Sequence, residues 1–411
     1  QIKFSPHLKT LWRGLQPQRW KRCRPTATEF QDYLDRFQTE QEPPIDLARW
    51  DRAADVTERR YFAHLAHSIS PLRGRDVRAY VRSLDTSAGL SFDGEDFSRV
   101  YRFKSDIPKK AIDREIARWM GQGFIDVPTK MAYRNHLAMD DKHKVRGIFV
   151  TPGIVSFAEA FFAIPITRRF KTLGIEHPIS TGFSWLEGDG RLMRAKFPLE
   201  SVASADVKNF DISARAQQVR RVFRIIRNLL QLNDWESKLF DLLADYQVST
   251  LVQFNGRLVK LTGGVRSGSA FTHILGSILN MTLVVAGSGE DRDLNFKVFG
   301  DDLVITLTDA SHWDDFVDGC KACGFTISTE KSVLGQIQWL GFDVSSGVPK
   351  LLNPDKWWAG FLHPERPDES MGHHKTRLAG YILSSLGDER FLADAFKVWD
   401  ELAGVELQGD C

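Results

Sequence analysis

Between Phe296 and Leu307 two apolar runs, Phe-Lys-Val-Phe and Leu-Val-Ile-Thr-Leu, meet at the corner Gly300-Asp301-Asp302. Val, Ile, Phe and Leu on both sides predict a buried hairpin with the two acids held at its exposed tip. Upstream, Ala203 to Phe210 reads as a buried strand carrying Asp206. Ile212 to Leu230 follows as a helix with Val219, Val222, Phe223, Ile226 and Leu230 on one face. Asn233 or Asp234 caps a second helix through Tyr246, and Thr250 to Leu261 forms a hairpin turned at Asn255-Gly256. The Gly/Ser-rich loop Gly263 to Ser269 then opens a long helix to about Ala286. After the acidic hairpin, Ser311 caps a helix through Cys323 that Gly324 stops. Strand-like Phe325 to Ser328 and Gln338 to Val344 precede a helical, tryptophan-bearing tail. Toward the N-terminus, residues 26 to 84 read as helical with a break at Pro43-Pro44, and Ala111 to Gly121 as a short helix. From about Val145 to Ile166, β-type and turn residues give way to the apolar run Phe157 to Ile164.

With 411 residues, 42% of them hydrophobic, the chain can bury a large core as one lobed domain or two to three subdomains. No apolar run reaches the roughly 18 to 20 residues that cross a bilayer, and the N-terminus lacks a signal pattern, so the chain reads as soluble and unsecreted. It opens at Gln1 without a methionine, which is compatible with trimming and a missing upstream segment. Repeats and low-complexity linkers are absent, which points to one interlocked body. Four cysteines give no disulfide framework at this size. Cys320 and Cys323 form a CxxC with no second pair at zinc spacing, so they read as structural. A net charge of +2 says little as a total, but Lys3, Lys9, Arg13, Arg19, Lys21, Arg22 and Arg24 crowd the opening segment, interleaved with Trp12 and Trp20. That pattern fits a surface for a polyanion and its bases, and equally a basic segment tied down by its tryptophans.

Adjacent acids repel, and a divalent cation needing oxygen ligands relieves that repulsion; a solvated Asp-Asp turn is the simpler alternative for Asp301-Asp302 taken alone. Asp206 and Asp211 lie at the end of a buried strand and the start of its helix, where either could merely cap that helix. Taken with the hairpin, three acids converge on one cleft, the arrangement that two-metal phosphoryl transfer requires. In the loop Ser267-Gly268-Ser269-Ala270-Phe271-Thr272, small residues let backbone approach a ligand closely. Thr272 and Asn280 stand about 80° apart around the helix that follows, close enough to face one cleft, where an amide and a hydroxyl could test for a ribose 2′-OH. The Gly-Lys-Ser/Thr ending of a P-loop is absent. Lys144 and Arg146 carry the charge to grip a triphosphate, or form a solvated basic turn among Asp140, Asp141, Lys142 and His143. Lys331 is a loop lysine, and His373-His374, with no partner at ligand spacing, reads as a surface pair.

Asp206-xxxx-Asp211, then Ser267-Gly268-xxx-Thr272 with Asn280, then Gly300-Asp301-Asp302 resembles, in order and spacing, the palm of the viral RNA-dependent RNA polymerases. The wording is similar to the partitivirus branch of double-stranded RNA viruses, with picobirnavirus-type enzymes related. Lys144-Val145-Arg146 with Pro152, Glu159, Phe161 and Pro165 resembles that family's basic finger motif, and Gly264 to Thr272 its loop-helix motif. Trp339-Leu340-Gly341-Phe342 resembles its post-palm strand. His363-Pro364-Glu365 with Arg377-Leu378-Ala379-Gly380 resembles its thumb. Arg266 stands where the family commonly has proline, and the chain is short for the family. The likeness runs from about Thr86 to Gly380.

The resemblance implies an α+β right hand, fingers, palm and thumb, with an antiparallel palm sheet backed by helices. Its divisions would be 1–85 as a basic, helical N-terminal region with fingertips, 86–200 fingers, 201–215 palm, 216–260 fingers, 261–345 palm and 346–411 thumb. It implies two Mg²⁺ ions, replaceable by Mn²⁺, on Asp206 and Asp301 with Asp302 adjacent, and Lys331 as proton donor to pyrophosphate. Asp211 and Asn280 would sense ribose, and Ser267, Gly268 and Thr272 would meet the template or incoming base. Lys144 and Arg146 would hold the triphosphate, and Thr86-Ser87-Ala88-Gly89 the template strand, a plain turn being the other reading of that stretch. Template and nascent RNA, ribonucleoside triphosphates and a capsid protein are the implied partners, with no membrane, in a virion interior or host cytoplasm. A reverse transcriptase-like polymerase and a non-catalytic RNA-binding virion protein are the rival expectations.

Overall fold

The computed structural model describes residues 6–15, 20–37, 44–73, 76–81, 83–94, 96–139, 145 and 147–408. At its centre is a four-stranded antiparallel sheet in the order Phe296–Phe299, Asp302–Thr306, Val202–Ala205, Val333–Leu334. The acidic hairpin is formed as its pattern predicts: Phe299 pairs with Asp302, and Gly300 supplies the positive φ of 62° that so short a turn needs. Asp206 interrupts the expected single strand, which resumes as Val207–Lys208 paired with Thr326–Ile327. Lys297, inside the hairpin, is buried and donates through Nζ to the His177 carbonyl at 2.5 Å.

Helix Thr272–Ser288 backs this sheet and is buried from Ile274 onward, as its nearly unbroken apolar composition requires. It packs between helices Leu47–Thr57 and His312–Ala322. The second contact needs two glycines: a Cβ on Gly319 would stand 2.5 Å from the Gly287 carbonyl oxygen, and one on Gly287 2.7 Å from the Phe316 ring. Helix Ala216–Leu229 buries Val219, Val222, Phe223 and Ile226 against the same core, and Asn233 caps helix Asp234–Val248 through a reciprocal bond pair with Glu236. Cys320 and Cys323 are buried thiols of this core, in keeping with a structural pair.

A second sheet, Arg257–Thr262, Ser249–Phe254, Thr129–Tyr133, Gly147–Val150, carries a smaller aromatic core under Phe30, Tyr33 and Phe37. Asn255 and Gly256 turn its hairpin with φ of 47° and 74°. The third core joins helices Pro354–Leu362, Met371–Ser384 and Glu389–Glu401 to the N-terminal helix Pro6–Leu15. From there the chain crosses to the second lobe, where Trp20–Cys23 pairs with His136–Met139. Arg22 fastens the crossing, donating to the carbonyls of His363 and Asn135 at 2.5 and 2.8 Å, and Arg134 meets Glu365 at 2.5 Å. Trp12 packs on His363 with ring centroids 4.5 Å apart, so the tryptophans of the basic segment tie it down.

Four expectations are corrected. Residues 26 to 84 are helical only in part: Ala27–Asp35, then Leu47–Thr57 continuing as a π-turn through Phe62 and a 3₁₀ turn to Leu65. Beyond Leu65 the chain is a turn and irregular segments, with Ile69 bridging Leu230 and a 3₁₀ turn at Val77–Tyr80. The run Phe157 to Ile164 lies inside one long helix, Gly153–Phe170. Gln338 to Val344 is two short strands turned at Leu340-Gly341, both with positive φ. His374 is buried rather than on the surface, its Nδ1 held 2.8 Å from Asp368. Among the described residues no helix is long and apolar enough to cross a membrane.

Candidate active site

The sheet brings the tip of the acidic hairpin beside the strand break at Asp206. Asp301 and Asp302 both keep solvent-accessible surface. Even so, Asp302 sits low among protein atoms, and this burial together with the negative charges of Asp301 and Asp206 pushes its carboxyl up to about 7. Asp206 thus acts on the adjacent pair Asp301-Asp302 from a distant part of the chain, and Asp211, expected to converge with them, does not enter this coupling.

Asp206 is framed by the turn that follows Ile327. Its backbone N–H donates to Ser332 Oγ at 3.0 Å, its carbonyl accepts from Ser328 N at 2.7 Å, and Lys331 Nζ reaches Asp206 Oδ2 at 3.3 Å. The loop lysine thus faces the first acid of the set.

The acidic corner is gripped from behind by helix Thr272–Ser288. Ser277 Oγ accepts from Gly300 N at 3.0 Å, and Asn280 Nδ2 donates to the carbonyls of Gly300 and Asp302 at 3.0 and 3.3 Å. Asn280 is fully covered, so in this conformation its amide holds the corner instead of reaching toward a sugar. Ser277 was missed in the sequence; its place one turn before Asn280, on the helix that precedes the acidic hairpin, is the signal that points to it. Thr272 likewise turns inward, its hydroxyl 2.6 Å from the Arg266 carbonyl and 2.8 Å from that of Ser269.

Ser267 and Gly268 are exposed at the tip of their loop, which lies on strand Gly147–Val150. Phe149 N donates to Ser267 Oγ at 3.4 Å, and a Cβ on Gly268 (φ 97°) would fall 2.2 Å from the Phe149 carbonyl oxygen. Only glycine permits that approach. Asp211 is exposed at the root of the same loop, where its carbonyl accepts from Val265 N at 2.7 Å. Thr86, Ser87 and Gly89 lie on the other flank of the 147–153 segment: Gly153 N donates to the Ala88 carbonyl at 2.7 Å, and a Cβ on Gly89 would stand 3.1 Å from Pro152 Cα. Lys144 and Arg146 fall outside the described residues.

Residues 40–393 match the family profile described as viral RNA-dependent RNA polymerase. The chain is 25% identical over 420 residues to the RNA-directed RNA polymerase of Cryptosporidium parvum virus 1 (strain KSU-1), a match covering 92% of this chain and 75% of that one. Two crystal structures of the RNA-dependent RNA polymerase of a human picobirnavirus share the fold. An insertion-loop deletion mutant matches with a TM-score of 0.70 and 16% identity over 95% of this chain and 80% of its own, and the other with 0.69 and 17% over 96% and 78%. The fold is accordingly the polymerase right hand, its palm sheet the one bearing Asp206 and the acidic hairpin. With the family profile spanning most of its length, the chain belongs to the viral RNA-dependent RNA polymerases, and its activity is RNA-directed RNA synthesis.

Proposed function

We propose that synthesis takes place over Asp206, Asp301 and Asp302, where a nascent 3′-hydroxyl attacks the α-phosphate of a ribonucleoside triphosphate and pyrophosphate leaves. The observation that carries this reading is the grouping of the three carboxylates, in which burial first, and then the charges of Asp301 and Asp206, push the Asp302 carboxyl up to about 7. Such a donor set suits a hard divalent cation, which relieves the repulsion. Among the described residues no three acidic, histidine or cysteine side chains are grouped closely enough to hold an ion by themselves. Mg²⁺ tolerates this, because it takes one or two protein carboxylates and completes its octahedron with water and substrate phosphate. Two Mg²⁺ ions, or Mn²⁺ in their place, would supply activation of the hydroxyl and neutralisation of the triphosphate.

The protein's own groups do the rest. Asp206 and Asp301 present oxygens from two adjoining strands, and Ser277 with Asn280 keep the corner from shifting. Lys331, already beside Asp206, is the proton donor to the departing pyrophosphate. Ser267 and Gly268 meet the incoming base pair, Asp211 senses the ribose, Lys144 and Arg146 hold the triphosphate, and Thr86 to Gly89 guides the template. Residues 86–200 and 216–260 serve as fingers, 201–215 and 261–345 as palm, and 346–411 as thumb, with a viral capsid protein as companion in the particle. The test is incubation of the purified protein with a defined RNA, four ribonucleotides and Mg²⁺. Asp301→Ala and Asp206→Ala should each lower incorporation by about 10³-fold or more while the melting curve stays cooperative. Substantial synthesis by either variant refutes the assignment, and a preference for deoxynucleotides selects a reverse transcriptase.

A further inference from the structure

Glu159 has no assigned place in the chemistry at the aspartates, yet it is 0% exposed and ends on the 263–269 loop and the residue after it. It rises from helix Gly153–Phe170. Its Oε2 accepts from the backbone N–H of Ala270 at 2.8 Å, its Oε1 from the Gln247 side-chain amide, and the Ser269 hydroxyl bonds to the same carboxylate. The charges facing it are Lys104 and Arg266, with the Tyr246 hydroxyl nearby. Burial pushes its carboxyl up to about 7. A buried acid is costly to keep, and a hydrophobic residue of similar volume is often as stable or more so. Its bonds to the loop indicate what it contributes instead.

The two ends of the loop are fastened in different ways. At the N-terminal end, buried Arg266 donates to the carbonyls of Gln247, Leu261 and Gly263, the last two at 3.1 and 3.3 Å. At the C-terminal end the Glu159 carboxylate holds Ala270 N and the Ser269 hydroxyl. Between these anchors only Ser267 and Gly268 are open to solvent. Lys104, the other charge facing Glu159, bonds through its backbone N–H to the Thr86 carbonyl at 3.0 Å.

We infer that Glu159 is a positioning residue for the Ser267-Gly268 loop, fixing its C-terminal root so that the two-residue tip alone yields to the incoming nucleotide. The inference rests on the reading that this tip meets the incoming base pair. Glu159→Gln keeps an acceptor for Ala270 N but gives up the charge; Glu159→Ala gives up both.

The test is steady-state incorporation of a matched ribonucleotide by wild type, Glu159→Gln and Glu159→Ala, with hydrogen exchange of the peptide spanning 266–272. KM should rise about threefold in the glutamine variant and about tenfold or more in the alanine variant, with kcat within about threefold of wild type, and loop exchange should quicken in the same order. A merely structural role would lower the active fraction, and hence kcat, at unchanged KM; that result, or an unchanged KM in either folded variant, overturns the inference. If Glu159→Ala does not fold, the KM and loop exchange of Glu159→Gln decide alone. Failure of the polymerase reading is seen separately, as absence of incorporation by the wild-type protein.

Discussion

Lys331 Nζ stands 3.3 Å from Asp206 Oδ2, joining the turn after Ile327 to the acid that interrupts the palm strand. The pair is open, with 60% and 41% of the two side chains exposed. An ion pair so placed adds little to stability, typically about 0–1 kcal/mol. Replacement of Lys331 should therefore be felt in chemistry. Lys331→Met is expected to melt close to wild type while its maximal rate falls about 100-fold. Lys331→Arg keeps the pairing with Asp206, but a guanidinium does not release its proton, so it should stay slow. Single-turnover incorporation checks both, and a wild-type rate in Lys331→Arg sinks the proton-donor role.

Asp302 makes metal-free stability depend on pH. Its folded carboxyl titrates near 7, against about 4 in an unfolded chain. As pH rises between those values the unfolded state ionises while the folded state keeps its proton, so the metal-free protein loses stability across that window. Asp302→Asn should remove this part of the loss. Because a cation needs the ionised acid, Mg²⁺ should raise the melting temperature of wild type more at pH 8 than at pH 6. Calorimetry with and without chelator tests both, and equal Mg²⁺ shifts at the two pH values contradict the coupling.

Asp211 and Asn280 should part company on substitution. Asn280→Ala strips two donors from the hairpin carbonyls, a change worth about 1–3 kcal/mol, and should slow ribo- and deoxynucleotide addition alike. Asp211→Ala, at the exposed root of the loop, should narrow the ribo/deoxy ratio of kcat/KM about tenfold. Measured ratios for both substrates separate the two roles, and an unchanged ratio in Asp211→Ala ends its role in sensing ribose.

Glu365 is shared between Arg134 of the fingers and Arg22 of the N-terminal crossing, at 2.5 and 3.5 Å. Both partners hold its carboxyl below its ordinary range. With 42% of Glu365 exposed, the cluster should matter modestly for folding, about 1 kcal/mol. Glu365→Ala should nevertheless shorten products made in one binding event, most visibly at low salt, where screening is weakest. A trap assay at low and high salt reads this directly; equal product lengths in variant and wild type at low salt refute it.

The acidic hairpin, the Asn255-Gly256 turn and the Asn233 cap were legible because each is fixed by near neighbours: alternation, positive φ, and a side chain reaching three residues ahead. Spacing and the family resemblance pointed to Asp206 and Asp301 as neighbours, and the sheet sets them side by side; Asp211, expected with them, stands instead at the root of the 263–269 loop. The long helix around Phe157 to Ile164 was not, since an element apolar on every side has no period to read. Nor was the inward turn of Asn280. Helical geometry gave its direction, but whether it meets ligand or backbone depends on how closely the hairpin packs on the helix, which only the folded chain decides. Ile69 carries no strong strand pattern around it and takes its bridge from a distant partner, Leu230.

The N-terminal crossing has a topological consequence. Helix Pro6–Leu15 rests on helices Pro354–Leu362 and Glu389–Glu401 while Trp20–Cys23 is paired with His136–Met139. The palm already links those two halves through the chain; the crossing links them a second time, as a clasp closes a bracelet. Parting those halves therefore requires the Trp20–Cys23 pairing to break or helix Pro6–Leu15 to leave its seat.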